Sequence, residues 1–283
     1  MRAWQVGAGR SPSWMDEMRT GFWRWLTMAA LMLGSAPALA QWPQPEGGGQ
    51  VIIGGGPYWA RINGFDNRGN ATRNGSIDRI DISPYWEHGL TQRWTVGIAP
   101  RLQAAWMDQT SVRSSGFGLA EANIFARYAL YRGTYDVLSL QGTLSTPGIG
   151  PIRNPFIAEA RPSLEARVMY GRSFPLPREM SAFAAVGAGY RYRAGAPADE
   201  LRFDATVGFR PLPNWMLLGQ YFGTVGLRNN GAGGPDYAIH RLQGSVVYDL
   251  NARQSVQLGY MREIDGRRVA LGQAVLLAWW YRY

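Results

Sequence analysis

The chain has 283 residues and a formal charge of +9, and all 29 of its basic residues are arginine. With no cysteine and two histidines, it has no disulfide or thiolate metal site and little material for an imidazole-bound metal. The arginines are spread singly through strand-like segments and form no patch, which argues against nucleic acid as a partner. No motif implies a cofactor.

At the N-terminus, Arg19 and Arg24 precede a short apolar run at 26–33, and Ala38 and Ala40 supply an A-x-A cleavage site. This pattern predicts a signal peptide over 1–40, cleaved after Ala40, because the run is too short to cross a bilayer. Residues 1–17 are long and polar for the leading part of such a peptide, so Met15 or Met18 is an alternative start. Cleavage leaves 25 arginines against 18 acidic residues. Residues 41–49 form a Pro/Gly-rich lead expected on the periplasmic side, and 50–283 are expected to make one domain.

Strands are predicted at 50–62, 77–88, 94–106, 118–131, 135–146, 159–171, 180–193, 200–211, 214–228, 237–250, 254–263 and 269–283. The third is the clearest. Trp94, Val96, Ile98, Pro100, Leu102, Ala104 and Trp106 alternate with Thr95, Gly97, Ala99, Arg101, Gln103 and Ala105, a separation that requires a two-residue period. Its tryptophans stand about 12 residues apart; at ~3.3 Å per residue and ~45° tilt this spans the ~25 Å apolar band of an outer-membrane barrel. The first and ninth segments alternate poorly. Connections are alternately short (88–93, 131–135, 171–179, 210–214, 249–253) and longer (63–76, 107–116, 147–158, 194–200, 228–235), the last position of the longer series holding a shorter one at 264–268.

The fold class expected is all-β: a transmembrane antiparallel up-and-down barrel of about 12 strands with both termini periplasmic. A periplasmic sandwich would also alternate, but would not place aromatics at both ends of the apolar face. Trp86, Trp94, Trp106, Tyr170, Tyr190, Phe209, Trp215, Trp279, Tyr281 and Tyr283 are the expected membrane-interface residues, with outer-membrane lipid as their partner.

The opposite face then lines a lumen. It carries Arg101, Arg127, Arg161, Arg167, Arg191, Arg193, Arg202, Arg210 and Arg241, with Asp81, Glu121, Glu165 and Asp204 as acidic partners. Guanidinium stays charged at any working pH, so rings of arginine are a selectivity device for anions. A salt-bridged interior that merely fills the barrel is the competing reading, and the excess of arginines over acids favours the first. The glycine-rich stretch 148–153 lacks the strand–helix context of a phosphate loop, and Pro151 removes an amide donor. Phe156 and Ile157 beside it are candidates to fold inward.

The last segment ends on Tyr283, with Tyr281, Trp279, Leu277 and Val275 on the same face. It resembles the C-terminal strand of bacterial outer-membrane barrels, which implies the barrel-assembly machinery as a partner. Outer-membrane phospholipase A is also a twelve-stranded barrel and carries an H-x-S motif. Here Leu242 stands where serine would follow His240, and His88 is followed by Gly89 and Leu90, so no serine lies beside its base.

The phrase Pro84-Tyr-Trp-Glu-His-Gly-Leu-Thr-Gln-Arg-Trp-Thr-Val-Gly97 resembles outer-membrane channels of the phenol-degradation meta-pathway type, with His88 departing from the aromatic or small residue of that pattern. The resemblance implies passive uptake of a small solute, whose identity stays open, and no catalytic residue. A plugged structural or surface-interaction barrel, or an outer-membrane lipid-modifying enzyme, are the alternatives.

Overall fold

The computed structural model describes residues 42–65, 71–109, 112–151, 157–232 and 234–283. The expected signal peptide and Phe156 lie outside them. Twelve strands form one closed antiparallel barrel in which each pairs with its neighbour in sequence and the last returns to the first. They are β1 (Gly49–Phe65), β2 (Ala71–Gly89), β3 (Trp94–Gln109), β4 (Val112–Arg132), β5 (Asp136–Thr146) and β6 (Ser163–Pro175). β7 (Ser181–Arg193), β8 (Glu200–Leu212), β9 (Trp215–Gly226), β10 (Ala238–Asp249), β11 (Gln254–Arg267) and β12 (Gly272–Arg282) complete it. Closure leaves no unpaired sheet edge, the condition for a sheet to stand in hydrocarbon.

The two-residue period decides what faces out. On β3 Trp94, Ile98 and Trp106 are exposed, while Thr95, Gln103 and Ala105 are buried. On β12 Leu276, Ala278 and Trp280 point inward and alternate with half-exposed Leu277, Trp279 and Tyr281. Aromatic contacts knit the outer face near the turns: Trp94 meets Tyr128 at 4.9 Å, Trp215 meets Tyr248 at 4.8 Å, and the Trp86 indole donates to the Tyr283 hydroxyl at 2.9 Å. Trp86, Trp94, Trp106, Tyr170, Tyr190, Phe209, Trp215 and Tyr283 all have exposed rings.

Two features escape a strict alternation. Arg101 pairs with Glu121 but Leu102 with Leu119, so Ala120 is an extra residue in β4. This bulge turns two consecutive residues, Ala120 and Glu121, to the interior. β1 and β9 alternate poorly for different reasons: β1 runs through Gly54, Gly55 and Gly56, while β9 is apolar on both faces, with Met216 and Leu218 buried inside.

The loop end departs from the predicted plan. Residues 107–116, expected as a long loop, are mostly strand, and β3 and β4 are joined by 110–111 alone. β1 and β2 likewise extend into 63–76. Alternation of short and long connections therefore fails at β3–β4, because polar residues in these hairpins continue a ladder that stands beyond the apolar band. β6 starts at Ser163 rather than 159, the segment before it being drawn into the β5–β6 loop.

Candidate functional site

The candidate site is the barrel interior, which is layered along the strands. On β2, Asp81, Tyr85 and Glu87 follow one another toward the turns; on β4, Glu121, Phe125 and Arg127 do the same. The layers are charged, apolar and charged in that order.

The layer nearest the loops is one ion-pair network. Glu121 accepts from Arg101 at 3.3 Å and Arg191 at 2.9 Å. Arg191 and Arg193 both reach Glu200, at 3.7 and 3.1 Å, and Arg193 also meets Glu159 at 3.3 Å. Arg202 pairs with Glu165 at 2.9 Å, and Arg167 bridges Glu165 and Asp204. Across the barrel Arg241 and the Tyr58 hydroxyl share Glu263, at 3.1 and 2.8 Å, and Arg79 pairs with Asp81 at 2.8 Å.

These pairs are not symmetric toward water. The exposed fractions are 34% for Arg101 against 11% for Glu121, 33% for Arg202 against 6% for Glu165, and 38% for Arg241 against 2% for Glu263. In these three pairs the carboxylate is the covered partner and the guanidinium faces the interior space, whereas Arg191 and Arg193, each 6% exposed, are more covered than Glu121 at 11% and Glu159 at 18%.

Beneath the network Ile52, Tyr85, Phe125, Met216, Leu218, Val247, Ala278 and Trp280 form a buried apolar cluster, with Ala99 and Phe183 packed against it. Tyr85 and Phe125 stack at 5.6 Å, and Trp280 is wholly buried with its indole donating to Gln257 at 3.2 Å. Among the described residues, β5, β6, β8 and β11 give no side chain to this cluster.

The third layer centres on Glu87, fully buried in the interior. One of its oxygens accepts from Gln44 and Gln50, each at 2.5 Å. The other accepts from the Tyr85 hydroxyl at 2.7 Å and from Arg127 at 3.1 Å. Near the turns Arg210 and Arg282 both approach Asp249.

Of the residues predicted to line the lumen, Arg101, Arg127, Arg167, Arg191, Arg193, Arg202, Arg210 and Arg241 are all inside, with Asp81, Glu121, Glu165 and Asp204. Arg161 is the exception: it precedes β6, is exposed, and lies over Gly195 in a neighbouring loop. Sequence reasoning missed five acids: Glu87, Glu159, Glu200, Asp249 and Glu263. Parity would have found Glu87, between Trp86 and His88, and Glu263, in step with Met261. Glu159 lies in a loop and carries no periodic signal. Ile157 is buried and packs toward Gly116.

Neither histidine meets a nucleophilic serine in the contacts they make. His88 stacks between Trp86 and Tyr283, with centroids about 6 Å away, and His240 Nδ1 lies 2.7 Å from the Tyr221 hydroxyl.

The β7–β8 connection is fastened by Asp199. Its carboxylate accepts from the Arg193 amide at 2.8 Å, the Tyr190 hydroxyl at 2.7 Å and the Asn229 side chain at 2.8 Å. Burial alone would raise its pKa, but these donors outweigh that and hold the carboxyl below the usual range. A folded pKa below the unfolded one of ~3.9 means that the stabilisation is complete above that value and is lost as pH falls through the folded pKa. Amide-exchange protection of 194–199 and 227–230 is therefore expected to persist at pH ~6 and to fall once the pH is taken below the folded pKa. Equal protection at both would contradict this fastening.

No protein-family model matches the chain, and no curated protein matches it. Solved structures do. An outer membrane channel from Pseudomonas putida F1 superposes with a TM-score of 0.65 at 12% identity, covering 88% of this chain and 100% of that one. The transport unit of the autotransporter AIDA-I from Escherichia coli gives 0.49 at 9% identity over 92% of this chain and 97% of that one. The NanC porin gives 0.47 at 7% identity over 82% and 98%. The chain thus shares with the Pseudomonas channel the fold of a closed barrel.

Proposed function

We propose that the protein is an outer-membrane channel for passive passage of small solutes, with a preference for anions. The exposed aromatic and aliphatic outer face suits lipid, and Tyr283 at the end of β12 suits recognition by the assembly machinery. The observation that carries the anion preference is the burial order in three of the ion pairs. Arg101, Arg202 and Arg241 each keep about a third of their side chain accessible while their carboxylates are covered. A solute near that wall meets guanidinium first, and a low-dielectric surround strengthens the attraction.

Planar-bilayer recordings under a salt gradient test this reading. The expected reversal potential reports anion selectivity, clearest at low ionic strength, because the screening length shrinks to ~3 Å at 1 M salt. Arg202→Gln with Arg241→Gln should move that potential toward neutral. An open pore selective for cations, or indifferent to both substitutions, sinks the anion reading. A plugged structural barrel is the second reading, favoured by the apolar cluster around Trp280. It predicts heat-modifiable, outer-membrane protein that never conducts.

A further inference from the structure

We propose that residues 42–48 are a latched closure across the turn-end mouth of the barrel, and that their release opens a path along β5–β8. This rests on the channel reading above. The lead does not hang from β1 into the periplasm; it turns back into the interior. Gly47 donates to the Gly89 carbonyl and Gly89 to the Gly48 carbonyl, both at 2.9 Å. The Gln44 amide then donates to Thr95 Oγ1 at 2.9 Å, its side chain to Glu87, and Arg127 donates to the Trp42 carbonyl at 3.2 Å. Finally the Trp42 ring meets Phe183 edge-on at 5.6 Å and fills the space over Gly171, where a Cβ would come within 2.8 Å of it.

The path of this segment matters more than any one contact. It leaves β1 and ends against β6 and β7, and β7 lies six places from β1 in a ring of twelve. The strap therefore crosses the mouth from wall to wall. The buried cluster draws its side chains from β1, β2, β4, β9, β10 and β12, and Trp42 lies toward β6 and β7, where Phe183 joins it to the edge of the cluster. Ser139, Gly171 and Ala185 give that wall small inward groups, while the Phe183 ring covers Gly208, so an exit there depends on where Trp42 and the Phe183 it packs against sit.

The anchoring also has the chemistry of a latch rather than of a packed core. One fully buried carboxylate, Glu87, holds both the strap through Gln44 and the wall through Gln50, Tyr85 and Arg127. The strap side of that arrangement is a neutral amide. On release, Gln44 regains water at little electrostatic cost while the Glu87–Arg127 pair stays intact. Gly89 is required for the crossing, since a Cβ there would lie 2.2 Å from the Pro45 carbonyl oxygen.

The chain has no cysteine, so one engineered pair is unambiguous. Full-length protein carrying Gln44→Cys and Thr95→Cys is recorded in planar bilayers oxidised and then reduced. It is compared with wild type, with a deletion of 42–46, and with Gly171→Ala, which displaces Trp42 while leaving the strap covalently whole. Heat-modifiable migration establishes that each variant is folded. The expected result is loss of conductance in the oxidised pair, recovery on reduction, and a raised open fraction in the deletion and in Gly171→Ala. Conductance in the oxidised pair equal to that in the reduced pair overturns the latch and leaves the channel standing, as does a deletion indistinguishable from a conducting wild type. Silence of wild type, reduced pair and deletion alike overturns the channel reading and the latch with it.

Discussion

Replacing Glu87 by alanine is expected to lower the unfolding free energy by about 3–5 kcal/mol, the range for removing one partner of a buried ion pair. Glu87 and Arg127 have 0% and 2% of their side chains exposed, so water cannot replace the lost partner. Arg127 would keep its bonds to Gln141 and the Trp42 carbonyl, but no carboxylate would balance its charge. Three further donors, from Gln44, Gln50 and Tyr85, would lose their acceptor at the same time. The measurement is urea unfolding in lipid vesicles followed by tryptophan fluorescence, with Glu87→Gln as the isosteric control. Adding Arg127→Met to Glu87→Gln removes the orphaned charge and should recover much of the loss. A change below about 1 kcal/mol in Glu87→Ala would mean that water enters this layer.

The second large effect concerns the outer wall. Arginine at Ile98 should cost about 2–4 kcal/mol if the site lies near the midplane, and less toward an interface. Ile98 is exposed in the middle of β3, between Trp86 on β2 and Ile124 on β4. Arginine at Gln103, also on β3, should be tolerated far better. Gln103 is buried inside and pairs across the ladder with Asp81, whose Oδ1 is buried without a hydrogen-bond partner among the described residues. A guanidinium there reaches a carboxylate, shared with Arg79, at the cost of the Gln103 oxygen that accepts from Arg101, while one at Ile98 gains only hydrocarbon. The same urea titration compares the two, and equal losses would contradict the assigned faces.

How much was legible in the sequence depended on whether one strand face was polar. β3 could be assigned residue by residue because Thr95, Arg101 and Gln103 contrast with Trp94, Ile98 and Leu102. β9 could not, since Met216 and Leu218 face an apolar layer inside while Trp215 and Leu217 face outward. Glycines hid β1 in a similar way, having no side chain to carry a pattern. The interior was seen as a list of arginines because arginine is conspicuous at strand centres. Glu200 at a strand start and Glu159 in a loop belong to the same network through folding alone. Nor did the composition of 41–49 announce that the lead re-enters the barrel. Its Pro and Gly suit a linker, and only Trp42 and Gln44 hinted at something to bury.

The pairing of β1 with β12 sets a schedule for assembly. Eleven of the twelve ladders join strands adjacent in sequence, while the remaining one brings Gln50 beside Arg282. Hairpin contacts close short loops and form early; the one distant contact carries the largest loop-closure entropy and comes last. Its end is sealed by a reciprocal pair of backbone bonds between Gly49 and Tyr283, each 3.0 Å. β1 pairs early with β2, but its other edge waits for β12, the last strand of the barrel to be made. That waiting edge is an aggregation-prone surface. Loss of β12 would leave it permanently open, however sound the preceding sheet.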